Sequence, residues 1–316
     1  KKSILIFIIK KIKQFIHLKK VAVYGQSYSI SAEKEIKILL DILEKNNIVC
    51  FIEEQFYNLL VDGAILNKKY PTFSHFNDLN NSFDLLFTLG GDGTILRAVT
   101  YIRDLGIPML GINTGRLGFL ATINKETIKE SVELILKGAY SVQERTLLSV
   151  RTSPETAEFS ELSFALNEVT IARKNTTAMI GVTTNLNSEY LTNYWADGLI
   201  IATPTGSTGY SLSCNGPVVS PDSKSFIITP IAPHNLNARS MVISDENSIQ
   251  LEVDSREKEF LISLDSRITS VAKNTKVFIE KAPFTIKSII PSNQSFLETL
   301  RSKLLWGEDT RNETNL

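Results

Sequence analysis

Cysteine is scarce. Cys50 and Cys214 are the only two in 316 residues, and no CxxC pair exists. That argues against a disulfide framework and makes a reducing, cytoplasmic compartment the expectation. Histidine is nearly as rare. His17, His75 and His234 stand far apart, so no His/Cys set has zinc-ligand spacing and no protein metal site is expected. Net charge is missing too: Lys and Arg total 34, and so do Asp and Glu. A nonspecific nucleic-acid binder carries a basic excess, so nucleic acid is not expected as a partner. Within "KKSILIFIIKKIKQFIHLKK" the longest apolar run, Ile4–Ile9, has six residues, too short for a membrane span. No small-residue cleavage site follows it, and no membrane partner is expected. The chain does not begin with Met, and "LKKVAVYG" reads as the start of a domain. Residues 1–17 are therefore set apart as an uncertain N-terminal extension, with Leu18 as an alternative start. A basic amphipathic helix is the other reading of that stretch.

What is present is globular: 43% hydrophobic and 22% charged, in a length that suits one large domain or two ordinary ones. "VAVYGQ" ends in glycine as a first parallel strand would. After it Ser31 can cap a helix whose stripe is Ile36, Leu39, Leu40 and Leu43. "NIVCFIEE" reads as a second strand, Asn67–Ser82 as a loop, and Phe83–Leu89 as a third strand. A helix from about Thr94 to Asp104 and a strand over Gly106–Asn113 follow. This alternation predicts an α/β domain with a mostly parallel sheet, over residues 18–123. A helix carrying Ile128, Val132, Ile135 and Leu136 comes next, ended by Gly138. Beyond it short β-rich runs recur, among them "TLLSVRT", "MIGVTTNL", "SFIITPIA", "SIQLEVD", "EFLISLD", "KVFIEK" and "FTIKSII". They predict an all-β second domain over residues 124–288. "SFLETLRSKLLWG" turns helical again, with Phe296, Leu300 and Leu304 in step, and residues 289–316 are expected to return to the first domain.

Five constellations carry polar chemistry. The first is "GGDGT". Gly90, Gly91 and Gly93 let backbone N–H groups approach a phosphate, and a helix from Thr94 adds its positive end. Asp92 inside such a cradle makes sense if it holds Mg²⁺ or takes a proton from an attacking hydroxyl; a plain tight turn is the alternative. Arg97, one turn on, offsets charge. The second is "ADGLIIATPTGSTGYSLSCNGP". Asp197 opens it, and hydroxyls from Thr203 to Ser213 are interleaved with Gly206 and Gly209. Tyr210 offers a ring for a base to stack on, while a Ser/Thr/Gly surface loop is the commoner use of this composition. The third is the Asn167–Glu168 pair, suited to a ribose diol but equally to a solvated strand face. The fourth is Arg116 between two glycines, able to reach a phosphate. The fifth, "PHNLNARS" with His234 and Arg239, gives no catalytic arrangement.

GGDGT, NTGRLGFLA, NE and DGLIIATPTGSTGYSLS, in this order and spacing, resemble the NAD kinase family across about residues 20–312. GGDG alone is shared with phosphofructokinases and diacylglycerol-type lipid kinases; the TPTGSTGYSLS block with the NE pair is specific. The resemblance implies transfer of the γ-phosphoryl group of ATP to the 2′-hydroxyl of the adenosine ribose of NAD, giving NADP. It implies Asp92 as catalytic base, with Gly93 and Arg97 beside it at the NAD. It implies Asn167 and Glu168 at a ribose, and Asp197 with Thr208, Gly209, Tyr210, Ser211, Leu212 and Ser213 at the nucleotide. Gly90, Gly91, Gly93, Thr94 and Arg116 are left for the donor phosphates, and Mg²⁺ arrives with them. The family fold has its NAD site between an α/β and a β-rich domain, and members form homodimers or homotetramers. Four positions depart from the family pattern: Trp195 where a basic residue is common, Gly209 for Ala, Asn215 for Gly and Arg267 for Gln. The rival readings are a lipid kinase and a nucleotide sensor without turnover.

Overall fold

The computed structural model describes residues 18–27, 32–115, 118–121, 123–175, 178–235 and 237–305. The expectations placed on residues 1–17, on Ser31 and on Arg116 lie outside the described residues. The chain forms two compact units, residues 1–143 with 287–316, and residues 144–286.

The first unit runs β1 (Lys20–Gly25), α1 (Glu33–Lys45), β2 (Val49–Glu53), α2 (Glu54–Asp62), β3 (Thr72–Phe73), β4 (Leu85–Leu89), α3 (Asp92–Ile102), β5 (Met109–Asn113), β6 (Ile123–Asn124) and α4 (Ile128–Leu136). Every one of these strand pairings is parallel, with β4 between β1 and β5, and β2 between β1 and β3. β4 and β5 are buried along their whole length, which is why both read as unbroken apolar runs. α1 buries the stripe Ile36, Leu39, Leu40 and Leu43 that its spacing predicts. α4 adds Ile128, Val132 and Ile135 to that same core. This packing carries the first unit on to residue 143, past the 123/124 division expected from the sequence.

Two features differ from expectation here. α2 follows β2 with no loop, because Glu53, the last residue of the strand, is also the helix cap and accepts from Phe56 N–H at 2.9 Å. Asn67–Ser82 is also not all loop: it holds β3 and a 3₁₀ turn over Phe76–Asp78.

The second unit is strand-rich. It comprises β7 (Tyr140–Ser153), β8 (Phe164–Ala165), β9 (Glu168–Arg173), β10 (Ile180–Leu186), β11 (Glu189–Ala196), β12 (Gly198–Ala202), the one-turn α5 (Tyr210–Ser213), β13 (Ser225–Ile231), β14 (Met241–Ser244), β15 (Ile249–Asp254), β16 (Glu259–Leu264), β17 (Arg267–Ala272) and β18 (Lys276–Pro291). β14-β13-β12-β9-β16-β17 form one antiparallel sheet, and β11-β10-β15-β18 form a second antiparallel run. Val169, Ile171, Leu199, Ile201, Phe226 and Phe260 from the first share one core with Val182, Leu251, Val277 and Ile279 from the second.

"KVFIEK" and "FTIKSII", read from the sequence as two strands, are the single strand β18. Pro283 inside it is exposed, the setting in which a strand tolerates the missing N–H. The first four residues of β7 and the end of β18 belong to the first unit, where Ser288 pairs in parallel with Met109 of β5. Helix α6 (Phe296–Leu304) follows in that unit, capped by Ser295, whose hydroxyl accepts from Glu298 N–H. Its stripe Phe296, Leu300 and Leu304 is half-buried.

Candidate active site

In the first unit the polar chemistry gathers where β4 ends. Gly90 has φ +154°, and a Cβ there would stand 2.1 Å from the Thr94 hydroxyl. Only glycine fits that approach. Gly91 is the extended N-cap of α3, and nothing lies within 4 Å of where side chains at Gly91 and Gly93 would begin. The glycine turn is therefore open, and it opens at the positive end of an eleven-residue helix.

Asp92 is the first residue of that helix. Its Oδ2 accepts from Phe119 N–H at 2.8 Å, and its Oδ1 accepts from Leu120 N–H at 3.0 Å and Ala121 N–H at 2.9 Å. The stretch GFLA, singled out in the sequence only as a neighbour of Arg116, is thus the loop that holds the carboxylate. Arg97 lies one turn further on. The Gln26 carboxamide oxygen, at the end of β1, accepts from its Nε at 3.0 Å and its Nη1 at 2.7 Å. Gly90, Gly91, Asp92, Gly93, Thr94 and Arg97 are brought together as one turn and helix start.

In the second unit the Asn167–Glu168 pair sits at the head of β9, under the turn that follows β12. Thr203 donates its hydroxyl to Leu166 O at 2.6 Å, and its N–H to Asn167 O at 2.9 Å. Gly206 packs so close that a Cβ would stand 2.1 Å from Asn167 O. Above the pair, a Cβ on Gly209 would stand 2.9 Å from Glu168 Oε2. Asn167 Oδ1 and Glu168 Oε2 are buried without a hydrogen-bond partner. Two unpartnered polar oxygens on adjacent residues in a protein interior are costly unless a partner arrives; Asn167 Oδ1 can only accept, while the Glu168 carboxyl accepts when ionised and can donate when it keeps its proton.

Burial, and after it the nearby Asp265, push the Glu168 carboxyl up to about 8, against the N–H bond it accepts from Tyr210. Burial also raises Asp265, opposed by three backbone N–H bonds and by Arg267. Asp265 is the member of the pair with donors enough to hold a charge.

The hydroxyls of the block divide in two. Those of Thr203, Ser207 and Ser211 are buried and spent inside the fold: Ser207 bonds with Val219 backbone, and Ser211 with the Thr229 hydroxyl at 2.9 Å. These three hydroxyls fasten the block to the sheet. Thr208, Gly209 and Leu212 are half-buried, Ser213 is exposed, and the Tyr210 ring is 44% exposed and open to stacking. Asp197 is half-buried and paired with Arg173 Nη2 at 2.9 Å. Arg173 also lines a cavity of about 530 Å³ with Trp195, His234, Asp254 and Arg256.

Asp265 is the residue that sequence reading missed. It lies between β16 and β17, and its contacts span nearly a hundred residues of chain. The departure at Arg267 has a structural use: its guanidinium donates to Leu162 O at 2.6 Å and to Phe164 O.

Comparison with known proteins gives a consistent result. Residues 7–140 match the family model described as the ATP-NAD kinase N-terminal domain, and residues 166–290 match that of the ATP-NAD kinase C-terminal domain. The NAD kinase of Christiangramia forsetii is 54% identical over 293 residues, 93% of this chain and all of that one. The NAD kinase of Bacteroides fragilis is 40% identical over 92% of this chain and 99% of its own. Among solved structures, an NAD kinase from Archaeoglobus fulgidus in complex with ATP superposes with a TM-score of 0.70 at 25% identity, over 90% of this chain and 98% of that one. Yeast NADH kinase complexed with NADH shares the fold, with a TM-score of 0.82 at 22% identity over 93% and 90% of the two chains.

Proposed function

The chain belongs to the ATP-NAD kinase family, and from that premise we propose how its residues divide the transfer of the γ-phosphoryl group of ATP to the 2′-hydroxyl of the adenosine ribose of NAD, giving NADP. Asp92 is the catalytic base. Its Oδ1 already accepts two N–H bonds and its Oδ2 only one, so the spare lone pair is on Oδ2. That atom takes the hydroxyl proton as the oxygen attacks phosphorus. Three backbone donors fix the carboxylate in one orientation, and positioning is most of what this reaction asks of a protein.

Gly90, Gly91, Gly93 and Thr94 receive the donor phosphates, with Arg116 as a further cation, and Arg97 offsets charge from the NAD side. Asn167 and Glu168 hold ribose hydroxyls. The observation that carries this assignment is the pair of buried, partnerless acceptors, Asn167 Oδ1 and Glu168 Oε2. Asp197, Thr208, Gly209, Leu212 and Ser213 border the nucleotide, with the Tyr210 ring against a base and Ser211 fastening the block beneath them.

Among the described residues none would need to hold Mg²⁺, which, carried by the donor phosphates, would supply charge neutralisation there. Asp92 fits a proton acceptor better than a metal ligand, because both its oxygens are engaged by N–H groups. The working form is a homodimer or homotetramer in the cytoplasm. The assembly reading is supported by exposed Trp195, Met241 and Val242 on β11 and β14, which end their sheets, and the compartment by two free thiols. Among the described residues no helix is long and apolar enough to cross a membrane.

The test is direct. The purified protein is incubated with Mg-ATP and NAD, and NADP is read through an NADP-specific dehydrogenase. Product from the wild type that is lost in Asp92→Asn supports the assignment. NAD binding without product favours a sensor, and neither binding nor product reopens a lipid kinase.

A further inference from the structure

We propose that Asp265 is a positioning residue for the Asn167–Glu168 pair, and that the Asp265–Arg267 hairpin tip is the buttress that fixes where the ribose hydroxyls are received. The inference rests on the reading of that pair as the ribose site.

Asp265 is held at φ +52° in the short turn between β16 and β17. From there its carboxylate accepts from three consecutive amides: Leu166 N–H at 3.0 Å on Oδ2, and Asn167 N–H at 2.8 Å and Glu168 N–H at 3.2 Å on Oδ1. The contact is returned, since Asp265 N–H donates to Glu168 O at 2.9 Å. The Ser263 hydroxyl donates to Asp265 O at 2.7 Å and steadies the turn. Two residues along, Arg267 donates to the carbonyls of Leu162 and Phe164, on the segment that leads into the pair. Both charged side chains of the hairpin tip are therefore spent on the backbone of one short segment, Leu162–Glu168.

The arrangement is more than packing. Asn167 and Glu168 each present a buried acceptor with no partner, and a bare acceptor is useful only if it stands where the donor will be. The backbone under each is clamped by the same carboxylate. The carboxylate also acts through space: the titratable or charged groups facing Glu168 are Asp265 from the hairpin tip and Tyr210 from α5, with Arg267 behind Asp265. Removing the Asp265 charge lowers the pH at which Glu168 ionises. That shift reports the contact between the two carboxyls, and a KM change confined to NAD separates positioning from a support that serves folding alone.

The experiment compares wild type, Asp265→Asn, Arg267→Gln and Glu168→Gln in steady-state kinetics with ATP and NAD varied separately, across pH 6 to about 9. Asn at 265 keeps one acceptor and turns an amide toward Leu166 N–H. The expected result for Asp265→Asn is a KM for NAD raised about 10- to 100-fold, the range that mispaired buried hydrogen bonds cost. Its KM for ATP stays as in wild type, and the midpoint of kcat/KM for NAD against pH moves down. Arg267→Gln shifts the KM for NAD in the same direction by a smaller factor, and carries the test if Asp265→Asn does not fold. A folded Asp265→Asn with unchanged KM for NAD overturns the proposal. So does a loss shared equally by ATP and NAD with the pH midpoint in place. Glu168→Gln separates the two readings. If it leaves the KM for NAD unchanged, the ribose assignment falls and the positioning role with it. If it raises that KM while Asp265→Asn and Arg267→Gln do not, only the positioning role falls.

Discussion

A methyl group on Gly118 would stand 1.9 Å from Asp92 Oδ1. The carboxylate occupies the space that any side chain at 118 would need, and the next three residues close on it with their amides. Carboxylate and loop are one assembly, although 26 positions separate the two residues in the sequence.

Gly118→Ala should therefore behave as an active-site variant without touching a reacting group. The methyl must push the carboxylate or the loop aside. A displacement of that kind is expected to lower kcat by about 10- to 100-fold. Steady-state kinetics with both substrates saturating decide it, and a wild-type kcat would show that the loop does not position the base.

Asp92→Asn should lower kcat by about 10²–10⁴-fold with a modest change in KM for NAD, because proton acceptance matters mainly in the transition state. The amide also cannot accept on its nitrogen, so one side of the loop is released. Hydrogen exchange at residues 119–121 is expected to quicken in this variant. Exchange as slow as in wild type would mean that those amides are not held by Asp92 in solution.

Gln26→Leu tests the support behind Arg97. The leucine removes the oxygen that accepts from Nε and Nη1 and leaves the guanidinium free to wander. A KM for NAD raised several-fold with kcat unchanged is the expected pattern of lost ground-state binding. Identical constants would take Gln26 out of the account.

Glu168 makes stability depend on pH. Its carboxyl titrates at about 8 in the folded protein against an ordinary value of 4.5. Between those two values the folded chain keeps a proton that the unfolded chain has lost, so stability falls as pH rises through the window and levels off above it. Glu168→Gln removes this titration. The melting temperature of the variant should gain on that of wild type from pH 5 to about 8, and a gap that stays constant with pH would contradict a buried, protonated Glu168.

The central strands were legible and the outer ones were not, for one physical reason. β4, β5 and β12 are buried on both faces and read as plain apolar runs. β11, β14 and β17 end their sheets, and Trp195, Met241, Val242 and Ile268 on them are exposed. Outer strands carry a mixed pattern that resembles loop, and none of the three was anticipated. α2 hid for another reason, since one residue, Glu53, closes a strand and caps a helix, leaving no polar gap between them. At the site, composition drew attention to the glycines, to the lone carboxylate and to the NE pair. It could not reveal what these groups bond to. The bonds to Asp92 come from backbone amides, which every residue carries, and those from Asp265 reach 97 to 99 residues back. Residue type leaves no trace of a contact made to the main chain.

The chain order of the first unit has a consequence for biosynthesis. Its sheet is begun by β1 and carried on by β4 and β5, yet Ser288, the partner of Met109, is translated only after the whole of the second unit. A nascent chain on the ribosome thus leaves the Met109 end of β5 without its partner, since β6 covers only Ile112 and Asn113, while more than 140 residues of another unit emerge and fold. The glycine turn at the end of β4 belongs to a sheet that waits for its last strand. The enzyme is expected to become competent only once residue 288 has emerged, and fragments stopped before about that residue should be prone to pair the open end of β5 with one another.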